Sequence, residues 1–139
     1  MADLDLANTL VDQCFSDMAQ NYCDKDLNAL IEHYAREPEL LVWHTEGDTL
    51  TTSEQLSLRY QALFEQYDID SVKFKIEKVF ADQEHILSIS LWVLSTQRKL
   101  GDEPFFEDQS LRATHLFSKQ SGRWLINHLH VSPTYIFSG

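Results

Sequence analysis

The chain has 139 residues, 22 acidic and 11 basic, giving a formal charge of −11 at neutral pH. That balance repels a phosphate backbone or an anionic membrane surface at long range, so neither nucleic acid nor a membrane is expected as a partner. Hydrophobic residues at 43%, with three prolines and four glycines, exclude disordered and fibrous classes and fit one domain over residues 1–139.

From Asp5 to Cys23 the residues Ala7, Leu10, Val11, Cys14, Phe15, Met18, Ala19 and Tyr22 recur at three- and four-residue steps, the stripe of an amphipathic helix. Cys14 and Cys23 stand roughly 13 Å apart along it, too far for a disulfide. We expect two reduced, buried thiols. The acidic N-terminus does not resemble a signal peptide, and the expected compartment is the cytoplasm. Asp24 or Asp26 can cap a second helix carrying Leu27, Leu30, Ile31 and Tyr34, which must finish before Pro38. A short strand over Leu40 to His44 is closed by a turn at Glu46-Gly47-Asp48. Thr51 with Glu54, or Thr52 with Gln55, fits a capping box, so a third helix starts near Ser53 with Leu56, Tyr60, Leu63, Phe64 and Tyr67 on its apolar face.

The period then changes from 3.6 to 2. Val72, Phe74 and Ile76 alternate with Lys73, Lys75 and Glu77, and the alternation breaks before Val79, which predicts a bulge or bend. A long strand follows from His85 to Arg98, with Leu87, Ile89, Leu91 and Val93 on one face and Trp92 and Leu94 among serines on the other. Two further strands, Asp108 to Ser118 and Arg123 to Ser132, flank a tight turn at Ser121-Gly122. Helices first and an antiparallel meander afterwards predict an α+β fold of order ααβαββββ, three helices packed on a strongly curved sheet. Strands apolar on both faces predict that one face meets the helices and a cavity while the other meets a second copy of the chain.

Histidine is the densest polar constellation. His128 and His130 share a face of the last strand. With a two-residue turn at Ser121-Gly122, His115 falls directly opposite His128, and three imidazoles converge. A one-residue slip would send His115 to the other face. Converged, they suit a polar pocket wall, general base chemistry, or Zn²⁺ or Fe²⁺; unconverged, they are structural or interface residues. The preferred reading has no metal and no cofactor. His44, beside Trp43, ends the first strand and is the other candidate base. Tyr34, Tyr60 and Trp92 are aromatics with polar handles, which serve a core more often than a ligand. Arg112 needs a carboxylate, Glu107 or Glu46, or a ligand anion. The chain has no glycine-rich phosphate loop, no Gly-x-Ser-x-Gly and no His-Glu-x-x-His, so nucleotide and serine-hydrolase chemistry have no support.

The closing segment Ser121-Gly122-Arg123-Trp124-Leu125-Ile126-Asn127-His128-Leu129-His130-Val131-Ser132 resembles that of SnoaL-like proteins in the nuclear-transport-factor-2-like superfamily. Arg112-Ala113-Thr114 resembles the family's Arg-x-Thr strand, and Lys25 to Leu30 its second helix. The tail is most similar to that of the kinase association-domain branch. The resemblance implies a cone of curved sheet around a long helix, enclosing a pocket and usually dimeric. It does not imply one function, because the fold hosts isomerases, cyclases, dehydratases and association domains. In the ketosteroid-isomerase branch a helix tyrosine and a strand aspartate transfer the proton; here Met18 and either Trp43 or His44 stand at those positions. Two functions are therefore carried forward. One is a pocket that binds a small organic molecule and acts on it by acid–base catalysis, with His44 or His130 as base and Tyr34, Trp43, Tyr60, Trp92, Arg112, His115 and His128 around the ligand. The other is a non-catalytic homodimerisation module.

Overall fold

The computed structural model describes residues 4–45, 47–98 and 105–134, with Phe105 as backbone only. Helix α1, Leu4–Asp24, buries Ala7, Val11, Phe15 and Met18 along the expected stripe. Lys25 leaves the helix with φ 55°. Asp26 then caps α2, Leu27–Glu32, by accepting from the Ala29 amide at 3.2 Å. Strand β1, Leu41–Trp43, is shorter than predicted and pairs with a two-residue strand β2, Thr49–Leu50, that the sequence pattern did not announce. The expected turn between them falls partly outside the described residues, at Glu46.

Helix α3, Ser53–Gln66, starts on the Thr52/Gln55 capping box rather than the Thr51/Glu54 alternative. It ends sooner than its apolar stripe suggests. Tyr67 is already extended (φ −132°, ψ 145°) and opens β3, Tyr67–Ala81, so the strand begins five residues before Val72. Tyr67 fits helical spacing equally well, but pairing with Arg98 satisfies its backbone in the sheet instead. The predicted irregularity before Val79 is a register shift between Ile76 and Lys78. Strands β4, His85–Arg98, β5, Phe105–Gln120, and β6, Arg123–Pro133, complete a six-stranded sheet of order β2-β1-β6-β5-β4-β3. Every neighbouring pair is antiparallel except β1 with β6.

The helices cover the face of β4 that carries serine and threonine. Ser88, Ser90 and Thr96 are buried, whereas Ile89 and Leu91 keep 39% and 38% of their surface exposed. Small side chains at 88 and 90 leave room for the α1 ring of Phe15, which meets Trp92 at 4.9 Å, His115 at 4.7 Å and Phe74 at 5.6 Å between centroids. Burying such a ring contributes about 1.5–3 kcal/mol, set against the Ser88 hydroxyl, which is buried without a hydrogen-bond partner. Ser90 is satisfied, accepting from the Trp92 indole N–H at 2.9 Å.

The β5–β6 hairpin begins in the expected register, with Ser121 (φ 52°) and Gly122 (φ 81°) both left-handed as a two-residue turn demands. Gln120 pairs with Arg123, and Phe117 with Ile126. Then an extra residue, Asn127, bulges out of β6, and Leu116 pairs with His128. His115 therefore faces Leu129 rather than His128. The convergence of three imidazoles does not form, because one bulged residue moves every later side chain of β6 to the opposite face. Cys14 and Cys23 are free thiols, half-buried rather than buried.

Candidate functional site

Between α1, α3 and the covered sheet face lies a cavity of about 100 Å³. Its floor and walls are mostly apolar, with Met18, Trp92 and Leu94 among them, and its polar groups are Tyr22, His44, Thr45, Tyr60, Gln109 and His115. The half-buried His44, Thr45 and Gln109 stand on its solvent side, and Tyr60 and His115 are buried at depth. An apolar cavity of about 150 Å³ holds benzene, and this one, smaller by about a third, is of a size for the buried end of a small molecule.

Three tyrosines meet at its edge. Tyr22 comes from the last turn of α1, Tyr60 from the middle of α3, and Tyr34 from just beyond α2. The Tyr22 hydroxyl donates to Tyr60 at 3.0 Å, and the Tyr60 and Tyr34 hydroxyls share a bond of 2.6 Å. Burial holds all three phenols well above their ordinary range, so each is a protonated hydrogen-bond donor and none is a phenolate. Hydroxyl hydrogens rotate. A ligand oxygen beside Tyr22 would turn the chain round, with Tyr34 donating to Tyr60, Tyr60 to Tyr22 and Tyr22 to the ligand.

His115 is 3% exposed and ringed by Phe15, Trp92 and Phe117. Burial, with a smaller contribution from His128, lowers its pKa to about 3. It is a neutral imidazole at physiological pH, and its Nδ1 is buried without a hydrogen-bond partner. His44 sits one residue past β1, where its Nδ1 lies 3.1 Å from the Thr45 hydroxyl and its backbone closes the turn to Asp48 at 3.1 Å.

Of the residues singled out from the sequence, His44, Tyr60, Trp92 and His115 line the cavity, and Tyr34 stands behind Tyr60. Trp43, Arg112, His128 and His130 lie on the other side of the sheet. His130 was a candidate base, but the Asn127 bulge turns it outward and leaves it exposed. Trp43 is 47% exposed and packs edge-on against His128 at 5.6 Å and His130 at 5.4 Å. The His128 Nδ1–H donates to the Leu41 carbonyl at 2.8 Å, so this imidazole serves the β1–β6 junction. Arg112 is exposed, and Glu107 lies five residues away in the same strand, on the opposite face. The other suggested partner, Glu46, falls outside the described residues. Among the described residues no three His, Cys, Asp or Glu side chains converge as a metal centre.

Tyr22 and Gln109 were not singled out. Tyr22 reads as the end of an apolar stripe, yet it stands one helical turn beyond Met18, where the isomerase branch keeps its tyrosine. That offset was the available signal. Gln109 has none, since polar residues alternate along much of β5.

A model of the SnoaL-like domain matches residues 11–136. The chain belongs to the SnoaL-like domain family. Among solved structures, this SnoaL-like chain is similar to a nuclear transport factor 2-like superfamily protein from Salmonella enterica serovar Typhimurium, with TM-score 0.80 and 13% identity over 99% of this chain and 96% of that one. It is also similar to a ketosteroid isomerase-like protein from Erwinia carotovora atroseptica, with TM-score 0.78 and 14% identity over 92% and 96%. A third is named for the association domain of calcium/calmodulin-dependent protein kinase II, from Thiobacillus denitrificans, with TM-score 0.66 and 14% identity over 89% and 94%. At these identities the likeness establishes the fold, an α+β nuclear-transport-factor-2-like cone, and leaves activity open. No functionally curated protein matches the sequence. No helix among the described residues is long and apolar enough to cross a membrane.

Proposed function

We propose that this SnoaL-like chain binds a small, mostly apolar organic molecule through one oxygen and acts on it by proton transfer, as an isomerase, cyclase or dehydratase does, without a nucleotide cofactor. The observation that carries this reading is the Tyr22–Tyr60–Tyr34 hydroxyl chain, which ends in a mostly apolar cavity. A carbonyl oxygen gains negative charge as its neighbouring carbon loses a proton. Donors already ordered in a low-dielectric site stabilise that charge without reorganising. Tyr22 is the donor to that oxygen, and Tyr60 and Tyr34 are positioning residues that hold its hydroxyl from behind. His44 is the base, because it is an imidazole on the solvent side of the cavity, where a proton can leave. His115 is too weakly basic for that step and serves as a neutral wall group that polarises or orients the ligand.

The test compares binding of phenol and cyclohexanone with that of benzene and cyclohexane, by calorimetry or ligand-observed NMR. The oxygen-bearing member of each pair should bind several-fold tighter, and Tyr22→Phe should remove the difference. Equal binding of the hydrocarbons would sink the oxygen-anchoring role. Native mass spectra of the purified chain, repeated under denaturing conditions, identify any retained molecule. With that molecule as substrate, His44→Ala should abolish turnover and leave binding intact.

One further observation favours assembly. Ile89, Leu91 and Trp43 are exposed apolar side chains on the uncovered sheet face, which suits a homodimer formed through that face. If the chain assembles but shows no preference for oxygen-bearing ligands, the association-module reading takes precedence.

A further inference from the structure

Away from the tyrosine chain, α1 and the end of α2 bring together a thiol, a thioether and an imidazole. Cys14 Sγ stands 3.9 Å from Met18 Sδ, one helical turn on, and 3.7 Å from Nδ1 of His33, the C-cap of α2. The far side of the ring is held as well, with His33 Nε2 lying 3.0 Å from Asn21 Oδ1. An amide oxygen only accepts, so Nε2 carries the ring proton and Nδ1 turns its lone pair toward the sulfur. Metal-bound imidazoles are held in this way, by a second hydrogen bond that sets tautomer and orientation.

We propose that Cys14 Sγ, Met18 Sδ and His33 Nδ1 form a three-coordinate site for a soft monovalent ion of the Cu(I) class. Donors arranged trigonally at bond lengths of roughly 2.0–2.3 Å stand about 3.6–4.0 Å apart. The separations of 3.7 and 3.9 Å fall in that range. Sulfur donors select Cu(I), and imidazole suits copper. Charge points the same way. The Sγ–H bond breaks as the Sγ–Cu bond forms, the proton leaves to water, and no electron is transferred. One thiolate with one monovalent ion is neutral, so the ion enters without a second anionic ligand. Met18 is 1% exposed, while half-buried Cys14 and His33 leave the ion a route in. Burial and the nearby Asp17 push the Cys14 thiol up to about 12, so without metal it is a poor nucleophile; burial also keeps His33 neutral, its ligand form. The site stands independently of the ligand cavity's chemistry, although Met18 is part of both.

Anaerobic titration of the reduced full chain with Cu(I), in competition with bicinchoninate, reads stoichiometry and affinity. Ultraviolet thiolate-to-Cu(I) charge-transfer absorption, recorded for wild type and for each cysteine variant, reads which thiol holds the metal. One Cu(I) per chain is expected, with the band kept in Cys23→Ser and lost in Cys14→Ser. Cys14→Ser should abolish binding, Asn21→Ala should weaken it about 10- to 100-fold, and Cys23→Ser should change nothing. Met18→Leu keeps the volume of a buried side chain, so its loss of affinity remains readable even if Cys14→Ser fails to fold. Failure to compete with bicinchoninate, Met18→Leu binding as tightly as wild type, or Zn²⁺ binding more tightly than Cu(I) would each overturn the proposal.

Discussion

His115 shows how one residue's surroundings decide its chemistry. Its ring sits among Phe15, Trp92 and Phe117, where a charge has almost no compensation, and its pKa falls from 6.5 to about 3. Between those values the unfolded chain holds a proton on this residue that the folded chain refuses, so acid favours unfolding. His115 should therefore contribute stability that is present above about pH 6.5 and lost as the pH falls toward 3. Urea unfolding of wild type and His115→Phe from about pH 7 to about pH 4 measures this, and the difference should change by a few kcal/mol in total. Parallel pH profiles for the two proteins would show that His115 is not the neutral, desolvated group described. The tyrosines obey the same physics with opposite sign, since burial there keeps the phenols protonated and able to donate.

At the scale of elements, the bulge at Asn127 determines which side chains reach the cavity. Downstream of it Leu129 and Val131 point inward and His128 and His130 outward. Deleting Asn127 would remove the bulge and leave the same partners in one continuous register, with His128 opposite Leu116, Leu129 opposite His115 and His130 opposite Thr114. Leu129 and Val131 would stay inward and both imidazoles outward, and a buried amide oxygen without a partner would be lost. The variant is expected to fold and to melt close to wild type by circular dichroism. A deletion variant that fails to fold would mean that β6 requires the bulged residue itself and not only the alternation that follows it. Most other element boundaries were legible because they are local. The Thr52/Gln55 capping box, the Asp26 cap and the left-handed Ser121-Gly122 turn each depend on residues within three positions of one another. Tyr67 and the Thr49–Leu50 strand were not legible, because their hydrogen-bond partners lie on distant or very short segments.

For the whole molecule, the sheet divides the chemistry into two sides, a helix-covered face with the cavity and an uncovered face with Ile89, Leu91 and Trp43. Light scattering should report a dimer at micromolar concentration. Leu91→Glu, which places like charges opposite each other across a two-fold contact, should yield a folded monomer. A monomeric wild type would remove the assembly proposal and leave the cavity reading untouched.

The fold class, the helix-then-meander order, the full extent of β4 and the family resemblance are all properties of local spacing and composition, so the sequence alone determined them. It also named His44, Tyr60, Trp92 and His115 among the residues that line the cavity. Which histidines share a face was decided in three dimensions. Side-chain direction along a strand alternates at every residue, so a single bulge whose cause is non-local reverses everything after it. The Tyr22–Tyr60–Tyr34 chain and the Cys14–Met18–His33 cluster likewise exist only because three helices pack together, joining groups as many as 38 residues apart into contacts of a few ångströms.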